Sequence, residues 1–359
     1  MKKVCVSLLA GAALLASMVA GFTQEIPTPT DTARLYELAK EEGTLTFYAS
    51  GPAQAMQSFA DAFSEKYPGV SVDVVRLSSP QQYQRFTQES EAGQHLADIV
   101  MLDPISMKNL IEAGHIADWA VPEADELIDS ARMGTYAYTP YYSTSVIAYN
   151  VNKVTPEEIE ILGRDWKGVL DPRFKGRFAV SDQVCTPCYG GLHMFLDPAK
   201  KDEFGEKFLH EIAAQHPRIY PEVNSALDRV VAGEHDFFYL AWESGVSILE
   251  QKGAPIRWLQ PSPTPVMLVS GWFAVSKYAP HPNAARLFMN WWISREGSKI
   301  QQQLYGAAPT FKNEPDIREF VKEPWYQPVT EKYDIDIVRW EKNIGSDLKL
   351  FGNIIRSQK

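Results

Sequence analysis

Two of the chain's three cysteines, Cys185 and Cys188, are spaced as Cys-Thr-Pro-Cys. Two thiols with this spacing, after a strand-like run and at the start of a helix-like one, are an arrangement for thiol–disulfide exchange, because a helix N-terminus favours the Cys185 thiolate. The same pair can instead close a short structural disulfide. Metal binding by Cys185, Cys188 and His193 lacks the second ligand pair of a zinc site. Hydrolytic chemistry has less to stand on. Serines are plentiful, yet no Gly-x-Ser-x-Gly elbow occurs, and no motif places any of the seven histidines beside a serine and a carboxylate. A different set of polar residues recurs at one structural position. Ser50, Ser78, Ser79 and Asp103 each follow a short apolar run, where a chain leaving a strand turns into a helix.

Those runs define the elements that must position such residues. Leu45 to Ala49, Val70 to Leu77 and Ala97 to Leu102 are predicted strands. Thr32 to Glu42, with Leu35, Leu38 and Ala39 on one stripe, and the segment carrying Met56, Phe59, Ala60 and Phe63 are predicted amphipathic helices, and Ser78, Ser79 and Pro80 start another. Strand, turn, helix, strand is the rhythm of a parallel sheet, whose ligands sit beyond the carboxyl ends of the strands. A second block repeats it. Ser145 to Tyr149, Phe178 to Val180 and Asp236 to Leu240 are its strands, and Cys188 to Leu196 and Ser244 to Lys252 are its helices. Val266 to Val275 is predicted as a single return strand, followed by helices over Asn283 to Ser294, Arg295 to Leu304 and Asn343 to Arg356. No repeat, low-complexity tract or Gly/Ser tether interrupts the chain, so strands that cross between two bodies are expected to join them.

Lys2 and Lys3 precede an apolar run from Val4 to Ala20, the pattern of a cleaved signal peptide with cleavage after Gly21. Cys5 lies near the start of that run, not after it, so no lipid anchor is expected, and Cys185 and Cys188 are left as the thiols of an exported protein. The remaining length exceeds what one core usually organises. Net charge −10 argues against nucleic acid or an anionic membrane as partner.

From about Gly43 to Pro309 the chain resembles the type II periplasmic solute-binding proteins of ABC importers, and within them the ferric-ion-binding, hexose-phosphate-binding and phosphonate-binding group. The ordered pieces that carry the resemblance are GTLTFYAS (43–50), SFADAFSEKYPGVSVDV (58–74), LADIVMLD (96–103), YYSTSVIAYN (141–150), WKGVLDPRFKGRFAVSD (166–182), NSALDRVVAGEHD (224–236) and HPNAARLFMNWWISREGSKIQQQ (281–303). The resemblance implies an α/β fold of two lobes with mainly parallel sheets and a hinge of crossing strands. The expected division is a signal peptide over 1–21, one lobe over 22–142 plus 266–312, and the other over 143–265 plus 313–359. It also implies a periplasmic, monomeric receptor with no catalytic activity and no cofactor, which hands a small-molecule ligand to a membrane permease.

The ferric subfamily's ligands can be traced onto this chain. Its histidine falls on Pro52, its glutamate near Asp103, and its tyrosine pair on Glu243 and Ser244. A hard ferric ion wants anionic oxygen donors, so the loss of both phenolates argues against tight iron sequestration and leaves an altered ferric site as the alternative. Asp103 and Glu243 can instead pair with an amine on an organic ligand, or be solvated edge charges. The same subfamily's anion loop maps onto 181–191, with Thr186 beside free amides, and its asparagine-led segment onto Asn224 and Ser225; both Thr186 and Asn224 can equally be plain helix caps. A small organic anion or zwitterion, a phosphate ester, phosphonate or carboxylate, is therefore the expected ligand. Its expected contacts are Ser50, Ser78, Ser79 and Asp103 from the first lobe, Ser181, Thr186, Tyr189, Gly190, Asn224, Trp242 and Glu243 from the second, and Tyr142 and Ser143 at the crossing. Tyr142 and Trp242 are the expected walls; Tyr141 and Trp272 are expected in cores, and Arg76 either reaches the anion or makes a surface ion pair. In this setting Cys185 and Cys188 are expected to form a disulfide that stiffens the anion loop, with redox turnover the weaker alternative.

Overall fold

The computed structural model describes residues 28–182, 188–268 and 271–357. In chain order the strands among them are β1 (Thr44–Ala49), β2 (Ser71–Arg76), β3 (Ile99–Leu102), β4 (Arg132–Met133), β5 (Ala137–Tyr138), β6 (Tyr141–Asn150), β7 (Phe178–Ser181), β8 (Arg218–Tyr220), β9 (Phe237–Trp242), β10 (Ile256–Leu259), β11 (Thr264–Met267), β12 (Trp272–Val275), β13 (Ala308–Pro309) and β14 (Lys332–Asp334). The α-helices are α1 (Thr32–Glu42), α2 (Ala53–Lys66), α3 (Ser79–Glu91), α4 (Pro104–Glu112), α5 (Pro156–Arg164), α6 (Tyr189–Phe195), α7 (Gly205–Ala214), α8 (Val223–Val231), α9 (Glu243–Gln251), α10 (Pro282–Trp292), α11 (Arg295–Tyr305) and α12 (Ile337–Arg356). Among the described residues no helix is long and apolar enough to cross a membrane.

Local patterning explains most of these elements. In α2 the buried residues are Met56, Phe59, Ala60 and Phe63, spaced to line one face, and the charged positions fall outside it. Asp31 caps α1 by accepting from the Arg34 amide, and Gly43, at φ 75°, ends that helix in the left-handed conformation that a glycine adopts without strain. Helix α10 has no side-chain cap of its own; the Glu42 carboxylate at the end of α1 accepts from the Asn283 and Ala284 amides instead. That contact fastens two helices far apart in sequence.

The strands form two sheets. One has the order β2-β1-β3-β12-β5-β4; the other runs β14-β11-β6-β9-β7-β8, with β10 and β13 also pairing β6. The α/β class and the two-lobed architecture stand as expected, but the sheets are mixed rather than mainly parallel. Each contains a parallel trio, β2-β1-β3 and β8-β7-β9, flanked by antiparallel pairings made by β12, β5 and β4 in one sheet and by β6, β10, β11 and β13 in the other. The physical reason is the crossings. Strands that pass from one sheet to the other enter against the direction set by the βα units.

The cores follow the sheets. One gathers residues 35–141 and 273–311, with an annex on the opposite face of the same sheet. The other gathers residues 146–267 and 320–355. The expected single return strand over Val266 to Val275 is two strands, β11 in one sheet and β12 in the other. A run that serves two separated sheets must leave one before it can pair in the other. Gly271 sits at that passage, where a Cβ would lie 2.5 Å from Met101 Cε and 2.7 Å from Tyr141 Oη, so no larger residue fits without displacement. Strand β6 is almost wholly buried along its ten residues and pairs with β9, β10, β11 and β13, which makes it the structural axis of the second sheet.

Candidate functional site

A cavity of about 340 Å³ opens between the two sheets, at the carboxyl ends of β1, β3 and β9. The first lobe supplies Ser50, Gly51, Pro52, Ser79, Pro80, Asp103, Pro104, Ile105 and Tyr305, and the second supplies Trp242, Ser244, Trp340 and Ile344. The first turns of α2, α3, α4 and α9 therefore converge on one space. The first amides of any helix lack intrahelical acceptors, and the helix dipole adds partial positive charge at that end. How those amides are used differs between the four helices. Asp103 caps α4, its Oδ1 accepting from the Ile105 and Ser106 amides at 3.0 Å each while Oδ2 accepts from Ser106 Oγ at 2.7 Å. At α3, the Ser78 amide and hydroxyl both donate to Gln81 Oε1. Helices α2 and α9 begin at Pro52 and Trp242, neither of which makes a side-chain cap. The starts of both line the cavity, one from each lobe, and at α9 the Ser244 amide is already held by Ser143 Oγ at 3.3 Å.

The expected contacts divide accordingly. Ser50, Ser79, Asp103 and Trp242 line the cavity. Asp103 does so as a cap whose oxygens are committed, and Ser79 Oγ accepts from the Asp103 amide at 3.1 Å. Ser78 stands behind them as the first residue before α3. Arg76 donates to the Gly51 carbonyl at 3.3 Å, so it braces the turn that leads into α2. Thr186 and Cys185 lie outside the described residues; Cys188 is buried immediately before α6.

Several expected contacts are used for packing instead. Tyr189 is buried, donates its hydroxyl to Asp347 and meets Trp340 edge to face at 4.5 Å. Gly190 lies under Met267, where a Cβ would come within 2.1 Å of its sulfur. Ser143 is buried and its hydroxyl accepts from the Ser244 amide at 3.3 Å, which places it one layer behind the cavity wall. Ser181 is buried at the end of β7, beside Tyr220. Asn224 is exposed on α8, away from the cavity lining. Tyr142 carries Lys332 over its ring at 4.9 Å, and burial pushes its phenol up to about 12. Tyr141 and Trp272 are core residues, as expected.

Glu243 differs most from its expected part. Its side chain is 2% exposed, its Oε1 lies 2.9 Å from Arg318 Nη1, and its Oε2 accepts from Thr144 Oγ1 at 3.1 Å. Arg318 also holds Asp316 through Nε and Nη2 and donates to the Gly306 carbonyl at 3.0 Å. Burial raises the Glu243 carboxyl, and the guanidinium opposes that rise; the two carboxylates keep Arg318 charged. A carboxylate this deeply buried against a guanidinium forms an ion pair at the base of α9, one layer behind the cavity lining. Its guanidinium partner carries no local motif that sequence reasoning could find. Trp340, Ile344 and Tyr305 also line the cavity without a sequence signal for it: Tyr305 and Trp340 fall just outside the expected helices Arg295 to Leu304 and Asn343 to Arg356, and Ile344 lies inside the second.

Among the described residues no three His, Cys, Asp or Glu side chains gather as a metal site. Tyr305, the phenol lining the cavity, is pushed up to about 12 by burial, so it stays protonated near neutral pH.

The sequence profile of the bacterial extracellular solute-binding proteins matches residues 45–305. An uncharacterized protein of Haemophilus influenzae is 25% identical over 278 residues, which cover 73% of this chain and 76% of that one. Among solved structures, iron-bound HitA from Pseudomonas aeruginosa superposes with a TM-score of 0.67 at 20% identity, covering 87% of this chain and 99% of that one. AfuA from Actinobacillus pleuropneumoniae, with fructose-6-phosphate bound, gives a TM-score of 0.59 at 19% identity, covering 88% and 97%. The chain thus belongs to the bacterial extracellular solute-binding proteins, with the two-lobed fold of the type II periplasmic receptors of ABC importers.

Proposed function

We propose that this receptor captures a small organic anion in the cavity between its lobes and carries it to a membrane permease, catalysing no reaction itself. The observation that carries the reading is that two helices whose N-cap residues make no side-chain cap, α2 from one lobe and α9 from the other, start at one cavity, with the Ser244 amide of α9 held by Ser143. Backbone amides at a helix start are a common anion site and need no lysine or arginine. Among the described residues none of the cavity lining is a Lys, Arg or His. A ferric site has less support, because among the described lining residues one carboxylate, spent on a cap, and one phenol leave too few anionic oxygen donors.

In this reading the chain acts as a monomer in the periplasm, exported by residues 1–21 and cleaved after Gly21. Lobe one comprises 22–142 plus 266–312, and lobe two 143–265 plus 313–359. A Cys185–Cys188 disulfide stiffens the segment before α6. Ser50 and the amides of α2 and α9 are the primary contacts, Trp242 forms a wall, and Ser78, Ser79 and Asp103 shape the edge.

The test is thermal denaturation against a panel of phosphate esters, phosphonates and carboxylates beside their neutral isosteres. Binding to the folded state alone stabilises by about 2.7 kcal/mol at a hundredfold excess over Kd. Anions should raise the Tm in a concentration-dependent way while their neutral counterparts should not. Equal shifts from both members of each pair would refute the reading, as would stabilisation by ferric ion alone.

A further inference from the structure

The lining of the cavity carries more than a charge preference. Resting on the anion reading above, we infer that the ligand bears a flat, apolar or aromatic body beside its anionic group, and is not a polyhydroxylated sugar phosphate. The walls away from the helix starts are Trp242, Trp340, Tyr305, Ile105 and Ile344, with three prolines at the rim. Among the described residues, the hydroxyls in the lining are those of Ser50, Ser79, Ser244 and Tyr305, and two of these are engaged. Ser79 Oγ accepts from the Asp103 amide, and Ser244 Oγ lies 3.3 Å from Ser143 Oγ; Ser50 remains at the mouth. A sugar ring closed into this space would lose water from several hydroxyls and regain few partners, and each unpaired hydroxyl costs affinity. A planar ring loses nothing there, because aromatic and aliphatic walls match its faces.

The geometry of the tryptophans supports a built wall rather than incidental exposure. The Trp242 ring lies on the first turn of α9, so close over Gly245 that a Cβ there would fall 2.1 Å from the indole. Trp340 is held edge to face by Tyr189 at 4.5 Å, and Tyr189 is itself tied to Asp347. Ile105, at the start of α4, packs against the second lobe's core. Two indoles from different elements of one lobe are thereby fixed beside the amide end of α9, where an anion's substituent would project.

Calorimetric titration with four probes separates the possibilities: phenylphosphonate, methylphosphonate, glucose 6-phosphate and benzyl alcohol. Phenylphosphonate should bind at least tenfold more tightly than methylphosphonate and glucose 6-phosphate, and should quench tryptophan fluorescence. Trp242→Leu should lower the ratio of phenylphosphonate to methylphosphonate affinity from at least tenfold to about twofold or less, a ratio that a merely unfolded variant could not give. Glucose 6-phosphate binding as tightly as phenylphosphonate, or more so, would overturn the ring inference and leave the anion reading standing. Benzyl alcohol matching phenylphosphonate would overturn the anion reading and with it this one. Binding by none of the three anions at millimolar concentration would count against both.

Discussion

His193 on α6 is fully buried, neither ring nitrogen has a hydrogen-bond partner, and burial lowers its pKa from 6.5 to about 4. Between those values the unfolded chain holds a proton that the folded chain does not. Stability must therefore fall as pH drops from about 6.5 toward 4, by at most roughly 3 kcal/mol from this residue. Denaturant titrations of wild type and His193→Leu across that window should show the steeper loss in wild type; parallel curves would mean that the imidazole protonates freely in the fold. Arg318 supplies a second residue-scale prediction. Arg318→Met leaves Glu243 and Asp316 without their shared cation, and removing one partner of a buried pair typically costs about 3–5 kcal/mol. Glu243→Gln should cost less, since Asp316 still holds the guanidinium. Equal losses in the two variants, measured by urea denaturation, would show that Asp316 contributes nothing.

At the scale of elements, the starts of α2 and α9 are the proposed anion contacts, and α4 is the internal control because Asp103 accepts from its Ile105 and Ser106 amides. Asp103→Asn keeps a good cap and removes a negative charge from the cavity edge. Stability should change by less than about 1 kcal/mol, and anion affinity should hold or improve. A tenfold loss of affinity would mean that Asp103 pairs with a cation on the ligand. Elements whose identity depends on local periodicity were legible in the sequence: α1 occupies the expected residues, and β1, β2 and β3 agree to within two residues. Long-range facts were not legible. Glu243 looked like a cleft-edge carboxylate because Arg318, far along the chain, leaves no local trace of their pairing. Trp340 lies before the expected tail helix and Ile344 at its start; only the docking of α12 beside α4 and α6 brings them to the cavity. Val266 to Val275 looked continuous because apolar alternation does not record which sheet each residue joins. Ser50, Ser79 and Asp103 are legible because strand ends are where βα units present ligands, a rule that operates at the sequence level, whereas Trp242 is legible only through the family resemblance.

At the scale of the molecule, two cores built from interleaved chain segments are joined through β6 and its neighbours, and the cavity lies where they face each other. Arg318 also ties the base of α9 to the Gly306 carbonyl that follows α11, so the two halves share a polar anchor beside their apolar contact at Ile105. A ligand held by amides from both halves favours the closed arrangement in proportion to the contacts it makes only there. Hydrogen exchange, followed by mass spectrometry with and without the tightest-binding anion of the titration series, tests this most directly. Amides at the start of α2 and at the start of α9 should both become protected when the anion is added. Protection at one helix start alone, or only at sites remote from the cavity, would contradict a ligand shared between the lobes.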